Sequence, residues 1–379
     1  MKLIIDASNL RNGGGVTHIV EVLNSLKDEL VLFERVEIFS NTSTLDKIVD
    51  RKWLKKLNHP DLNKGLLQIL KWRFLFFRNY LKQQKNTILF NPPGTYIGNF
   101  RPFVVMSHNM LIWDKEERKR FGVFSALNFK FKLLNFIQKR SFNRASGIIF
   151  ISHYAKNTIL KRLRNDVSRK FKIIFHGINS RFVSRPKSQQ GPPLDILYIS
   201  NLTFYKHQII LLKAALLLYK EGFKFKLNLV GGYHKDYKAM FDNEFNSDAL
   251  YSSFVTFHGK VEFEEIHSFY LKSNAFIFAS SCENMPNILV EAMSSGLPIL
   301  CSSNQPMPEF LGDDHEFYFD PTSVNSTYQG LKKFITSDHL KQSAELSFKK
   351  SQTYNWELCA NNTFQFLFDT LEKYDNAKQ

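Results

Sequence analysis

The 379-residue sequence holds only three cysteines, Cys282, Cys301 and Cys359, an odd number without metal-like spacing. That scarcity excludes a disulfide framework, points to a reducing compartment, and leaves each thiol as a small buried hydrophobe. Long apolar runs are missing too. The most lipophilic stretch, Leu66 to Leu81, is interrupted by Gln68, Lys71, Arg73 and Arg78, which excludes an uninterrupted membrane span. The chain opens on Lys2-Leu3-Ile4-Ile5-Asp6, a strand pattern without the apolar region of a secretory leader. A cytoplasmic protein, peripheral to the inner face of the cell membrane, is therefore expected. There is no G-x-G-x-x-G fingerprint, no Gly-Lys-Ser/Thr phosphate loop, no zinc-finger spacing and no RNP-like segment. Dinucleotide, ATP and nucleic-acid partners thus lack their signatures.

Arginine itself disappears after Arg185. Residues 1–190 hold 35 Lys+Arg against 13 Asp+Glu, a balance of +22, whereas residues 191–379 hold 16 against 22, a balance of −6. One half is built to meet something anionic. Arg51 to Lys85 carries ten basic residues and one acidic residue, interleaved with Trp53, Leu66, Leu67, Trp72, Phe74 and Phe76. Lys115 to Arg144 repeats the theme with Phe121, Phe124, Phe129, Phe131 and Phe136. Each stretch reads either as a solvated helix over a core or as an interfacial helix on an anionic membrane surface. Together they favour the membrane surface as a partner over nucleic acid, which is not expected to bind.

With 44% hydrophobic residues there is ample core for two domains. The Pro-, Gln- and Ser-rich segment from Ser184 to Pro193 reads as a linker and coincides with the charge switch. Apolar strands are expected at 3–5, 36–39, 88–90, 103–106, 148–151 and 172–175 before it, and at 196–199, 226–230, 255–257, 275–278 and 299–301 after it. Alternation of strand and helix in both halves gives an α/β class: two doubly wound, Rossmann-like parallel-sheet domains. The boundaries are set at 1–185, 186–355 and a C-terminal amphipathic helix 356–379. Ligands of such sheets bind beyond the carboxyl ends of the strands.

One of those ends is the most informative part of the chain. After the apolar run Ala275 to Ala279 come Ser281-Cys282-Glu283-Asn284-Met285-Pro286, then a helix pattern closed by Gly296 and Pro298. Ile288, Leu289, Ala292 and Met293 share one helix face, so Asn287, Glu291 and Ser295 fall on another. The free amides around Asn287 and Ile288 would attract a diphosphate. Glu283 and Glu291 would accept hydrogen bonds from sugar hydroxyls on either side. By spacing alone, Glu283 is equally a capping residue and Glu291 a solvated one.

The whole segment resembles the E-x7-E signature of glycosyltransferase family 4, retaining enzymes of the GT-B fold, in its bacterial polysaccharide-assembly type. That resemblance implies two such domains facing a cleft, with Glu283 on the transferred sugar and Glu291 on the ribose of its nucleotide. It also implies that the helix 356–379 crosses back to the first domain. The family's usual glycine after the first glutamate is Asn284 here. The loop Asn201 to His207 is similar to the family's Gly-Arg…Lys-Gly loop, whose two cations grip the diphosphate. Asn201 takes the arginine's place, so Lys206 becomes the cation expected to neutralise the leaving group.

Other strand ends add candidates. Gly13, Gly14 and Gly15, between the first strand and first helix, form either a tight turn or an anion-contacting loop. The resemblance puts them opposite the donor phosphates. His108, after Val104-Val105-Met106-Ser107, is a structural histidine or a contact to sugar or acceptor. Ser152 and the Phe175-His176-Gly177 stretch are similar to architectural landmarks of the family. Gly231 and the Gly259-Lys260-Val261 run follow later strands and permit close backbone approach to a base or ribose; the resemblance implies the base near the second, and a plain turn fits either equally. Asp313-Asp314 sits in an ordinary loop and is given no metal role.

The expected activity is a retaining, metal-independent hexosyltransferase of cell-surface polysaccharide synthesis, of the lipopolysaccharide or O-antigen kind. It would move a sugar from a UDP- or GDP-sugar co-substrate, with no resident cofactor, to a hydroxyl of a lipid-linked glycan. Glu283, His108 and Lys206 would carry the chemistry. The alternatives are a sugar-nucleotide epimerase on the same frame and a non-catalytic nucleotide-sugar or glycan binder, the latter fed by Asn201 and Asn284.

Overall fold

The computed structural model describes residues 1–11, 13–164, 170–184 and 194–377. They form two compact units: Met1–Trp113, Ala126–Gly177 and Tyr354–Gln379 make the first, and Asp114–Ser125 with Ile178–Thr353 make the second. All of the expected linker Ser184 to Pro193 but its first residue, and with it the 185/186 boundary, lies outside the described residues, as does Asn12 of the glycine loop.

The first unit is a seven-stranded sheet built from β1 (Lys2–Asp6), β2 (Arg35–Phe39), β3 (Leu54–Leu57), β4 (Thr87–Asn91), β5 (Phe103–Ser107), β6 (Gly147–Phe150) and β7 (Lys170–Ile173). Its order is β3-β2-β1-β4-β5-β6-β7, and each neighbouring pair is parallel. All residues of β4, β5 and β6 are buried, as strands covered on both faces must be. Two details depart from the pattern reading. Leu54–Leu57, Leu-Lys-Lys-Leu, joins the sheet as an edge strand with only Leu54 buried, so its charged middle hides it from a hydrophobicity scan. The last strand runs Lys170–Ile173, two residues earlier than its apolar residues imply.

The second unit has six parallel strands: β8 (Leu194–Ile199), β9 (Phe225–Val230), β10 (Val255–Phe257), β11 (Ala275–Phe278), β12 (Ile299–Ser302) and the short β13 (Tyr318–Phe319). Their order is β10-β9-β8-β11-β12-β13. The chain leaves β8 through the helix Gln208–Lys220 toward β9, and leaves β11 through the helix Asn287–Ser294 toward β12. Neighbours β8 and β11 thus send their connections in opposite directions, which makes their carboxyl ends the topological switch point, where ligands of such sheets bind. Asp114–Ser125 belongs to this unit because Phe121 packs edge-on against Phe204, ring centroids 5.2 Å apart, and against His234 at 5.6 Å.

Two parallel sheets with flanking helices are the architecture expected from the strand alternation. No helix among the described residues is long and apolar enough to cross a membrane.

Candidate active site

The loops after β8 and β11 meet because their strands are neighbours. Ser281 N–H donates to the Tyr205 carbonyl at 2.9 Å, and the His207 ring lies 2.8 Å from the Ser281 hydroxyl. His207 takes left-handed backbone angles, φ 52°, which turns the chain from the 204–206 turn into the following helix. This clamp delivers Lys206 to Glu283. The two side chains form an ion pair, only 10% and 17% exposed, although they stand 77 residues apart in sequence. The Lys206 ammonium also sits over the faces of Phe278, 4.9 Å from the ring centroid, and Tyr205, at 5.5 Å. A low-dielectric cradle strengthens the pair and leaves it few competing partners.

Glu291 lies in the second turn of the Asn287–Ser294 helix and finds different company. Its carboxylate accepts from the Tyr270 hydroxyl at 3.1 Å, and the same hydroxyl lies 3.1 Å from the Ile288 carbonyl. Burial pushes the Glu291 carboxyl up to about 7, against the opposing pull of the Tyr270 hydrogen bond and the Arg181 charge. Arg181 packs its guanidinium 4.2 Å from the Phe263 ring centroid. Of the two amides expected to receive a diphosphate, Asn287's already donates to the Met285 carbonyl at 3.0 Å, so Ile288's is the one left to a ligand. Asn284 is buried in the preceding turn.

Asn201, Gly231 and Gly259 come together at the ends of β8, β9 and β10. The Asn201 side-chain oxygen accepts from Gly232 N–H at 2.9 Å, and Gly231 N–H donates to the Gly259 carbonyl at 2.8 Å. Lys260 and Val261 follow, the lysine exposed. Sequence reasoning did not reach Tyr205, His207, Ser281, Tyr270 or Arg181. No motif spacing marks them, because each acts through a contact made by strand adjacency.

In the first unit, the Gly13 carbonyl accepts from the Val16 and Thr17 amides at 3.0 and 3.3 Å at the start of the helix Gly14–Ser25. A side chain on Gly15 would press on Leu10 at 3.0 Å, so close packing is one demand for glycine there. His108, just past β5, joins a histidine cluster that no single motif predicts. Its ring is 5.1 Å from His18 and 5.7 Å from His176, and His18 lies 4.8 Å from His176. His176 stacks on Trp356 at 5.5 Å, at the start of the last helix, Trp356–Asn376. Both ring nitrogens of His18 and Nε2 of His108 are sealed without hydrogen-bond partners among the described residues. Burial, reinforced by the neighbouring rings, holds His18 well below the ordinary imidazole value and His108 at about 3. His108 is therefore a neutral imidazole at physiological pH.

This cluster makes a pH prediction with a definite sign. Histidines that resist protonation when folded stabilise the protein above their unfolded value of about 6.5 and lose that contribution as pH falls toward their folded values. Each costs up to about 1.4 kcal/mol per pH unit in that window. The urea midpoint of the wild type is expected to drop from pH 6.5 to 4, and His18→Phe is expected to flatten the slope. Equal slopes for the two proteins would refute a role for the cluster.

Among the described residues, no three His, Cys, Asp or Glu side chains are grouped to hold a metal ion. Comparison with known proteins bears on the second unit most directly. Residues 180–350 match the family described as glycosyl transferases group 1. That match spans 171 residues, a little under half of the chain. Lys206, Glu283 and Glu291 all lie inside the matched residues. The chain is also similar to the O-antigen chain mannosyltransferase B of Escherichia coli, 26% identical over 110 residues, 29% of each chain. The match thus spans less than a third of that relative's length. Over the whole chain, the sucrose-phosphate synthase from Thermosynechococcus elongatus is similar in structure, with a TM-score of 0.76 at 14% identity over 98% of this chain and 99% of that one. An Anabaena protein, HepE, solved in complex with UDP and glucose, gives 0.67 at 14% identity over 98% and 100%. At such identities the likeness shows the fold alone, that of the GT-B glycosyltransferases.

Proposed function

We propose that the protein is a retaining glycosyltransferase that moves a sugar from a UDP- or GDP-sugar to a hydroxyl of a lipid-linked glycan in cell-surface polysaccharide assembly. The observation that carries this reading is the sheltered Lys206–Glu283 pair at the switch point of the second sheet, within the residues that match the group 1 family. In the ligand-free chain each charge neutralises the other. An arriving diphosphate competes for Lys206 and releases Glu283 to accept hydrogen bonds from the sugar hydroxyls, so donor binding arms both groups in one step. The acceptor oxygen bonds to the anomeric carbon on the face the diphosphate leaves. The electron pair of the broken bond goes to the phosphate oxygen, which takes the acceptor's proton. Lys206 and the Ile288 amide stabilise the charge that develops there, and Glu291 with Tyr270 receives the ribose. The acceptor's lipid places the basic first unit at an anionic membrane surface, and we assign no resident metal or cofactor.

A panel of UDP- and GDP-sugars tests this reading by thermal stabilisation. A ligand at 100 times its dissociation constant stabilises the native state by about 2.7 kcal/mol. One nucleotide sugar is expected to raise the melting temperature by several degrees and then to yield a product of unchanged anomeric configuration. A flat panel, or an inverted product, would overturn the assignment.

A further inference from the structure

The helix Ala126–Arg144 and the turn that follows the helix His153–Leu160 line an open cavity of about 600 Å³ in the first unit that the transfer reaction does not use. Its walls are cationic. Arg140 and Arg144 stand one turn apart on the longer helix with Lys139 next to them, and Arg162 and Arg164 approach from the other side. Among the described residues, no carboxylate lines it. Arg144 is held by the Ile97 carbonyl at 3.3 Å and the Asn99 side chain at 3.0 Å, and Arg162 by the Trp113 carbonyl. These partners are neutral, so they position the guanidinium groups without cancelling their charge.

The same helix face continues toward its N-terminus as an apolar stripe. Phe136 belongs to the cavity wall and is 67% exposed; Leu133 and Phe129, three and seven residues earlier, are 52% and 70% exposed. Ile97, whose carbonyl holds Arg144, is exposed as well. A water-facing helix would not set large apolar groups in line with a pocket of cations. The sheet order adds a second such surface on the same side. The connections β3→β4 and β5→β6 run in the same direction along the sheet, so right-handed crossovers put both on one face. The first of these carries exposed Leu66, Leu67, Phe74 and Leu75.

We infer that the Arg140 cavity binds the phosphate headgroup of an anionic membrane phospholipid while Phe129, Leu133 and Phe136 lie among its acyl chains. Planar guanidinium groups match phosphate oxygens in geometry and charge, and the apolar stripe begins where the headgroup ends. The inference deepens the membrane part of the proposed function and is independent of sugar transfer.

Sedimentation of the full-length protein with phosphatidylglycerol/phosphatidylcholine vesicles, and with phosphatidylcholine vesicles alone, tests it without any donor. Anionic vesicles are expected to bind at least tenfold more tightly. Lys139→Ala/Arg140→Ala should weaken that binding about 30-fold, the equivalent of about 1 kcal/mol per cation. Phe129→Ser/Phe136→Ser should weaken binding to both vesicle types, since loss of the stripe does not discriminate by charge. Each variant is checked for an unchanged melting temperature. Equal affinity for neutral and anionic vesicles, or full binding by the double-alanine variant, would overturn the site. So would displacement from vesicles by millimolar inorganic pyrophosphate together with indifference to the phenylalanine changes, which would mark a soluble-anion site instead. A failure here leaves the nucleotide-sugar panel unaffected, so the two proposals fall separately.

Discussion

Lys206→Ala is expected to lower kcat/KM for sugar transfer by about 100- to 1000-fold, the usual loss when a single preorganised charge is removed from a developing oxyanion. The side chain is sheltered and sits between the rings of Tyr205 and Phe278, so no neighbouring lysine can take its place. Glu283→Ala is expected to cost a similar factor for a different reason, because the sugar loses its acceptor and Lys206 is left without a counter-ion before donor arrives. Since each variant disarms the same pair, the double variant should be no more than a few-fold worse than the poorer single one. Initial-rate measurements on the four proteins close the cycle. Strict multiplication of the two losses would mean that Lys206 and Glu283 act independently, and a Lys206→Ala enzyme within threefold of wild type would remove the leaving-group role. Folding must be read separately: Lys206→Ala leaves the carboxylate of Glu283 partly buried and unpaired, a cost of about 1–3 kcal/mol that a urea titration would register.

That pair also shows where pattern reading stops. The apolar run 275–278, the turn at 281–286 and the helix over Asn287–Ser294 are local features, each set by residues close in sequence, and all were legible as such. Lys206 and Glu283 were each visible beside a strand end. Their contact was not, because it depends on β8 lying next to β11, a non-local choice that no spacing encodes. The histidine cluster is the stronger case. His18, His108 and His176 sit on a helix and beyond two strand ends, and each alone reads as an ordinary buried imidazole. Only the parallel order of β1, β5 and β7 gathers them under Trp356. The stretch from Lys115 to Arg144 shows a different limit. Its composition is continuous, yet Phe121 packs with Phe204 in the second unit while Phe129 and Phe136 face solvent in the first. Aromatic content reports how much surface must be covered, not which neighbour covers it.

The second large effect concerns a glycine whose role the sequence left open between ligand approach and plain turn. Gly231 has φ 145°, and a Cβ there would stand 2.3 Å from the Ser200 carbonyl oxygen and 2.6 Å from its carbon. The obstacle is backbone, fixed by the bond from Ser200 N–H to the Val230 carbonyl at 2.8 Å, so it cannot swing aside as a side chain would. Gly231→Ala therefore combines backbone strain of about 1–3 kcal/mol with a forced displacement of similar size. A loss of about 2–6 kcal/mol is expected, a large fraction of what holds a domain folded. Gly259 is the internal control: it too has a left-handed φ, 70°, but nothing lies within 4 Å of its absent Cβ. Gly259→Ala should cost only the conformational penalty of about 1–2 kcal/mol. Urea midpoints of the two variants decide the matter, and UDP-induced stabilisation gives a second reading. If close approach of β8 and β9 is what demands glycine, Gly231→Ala should lose both stability and nucleotide response while Gly259→Ala keeps most of each. Equal midpoints would mean that the Ser200 carbonyl yields freely, and that the end of β8 is not the rigid wall from which the Asn201–Lys206 loop is hung.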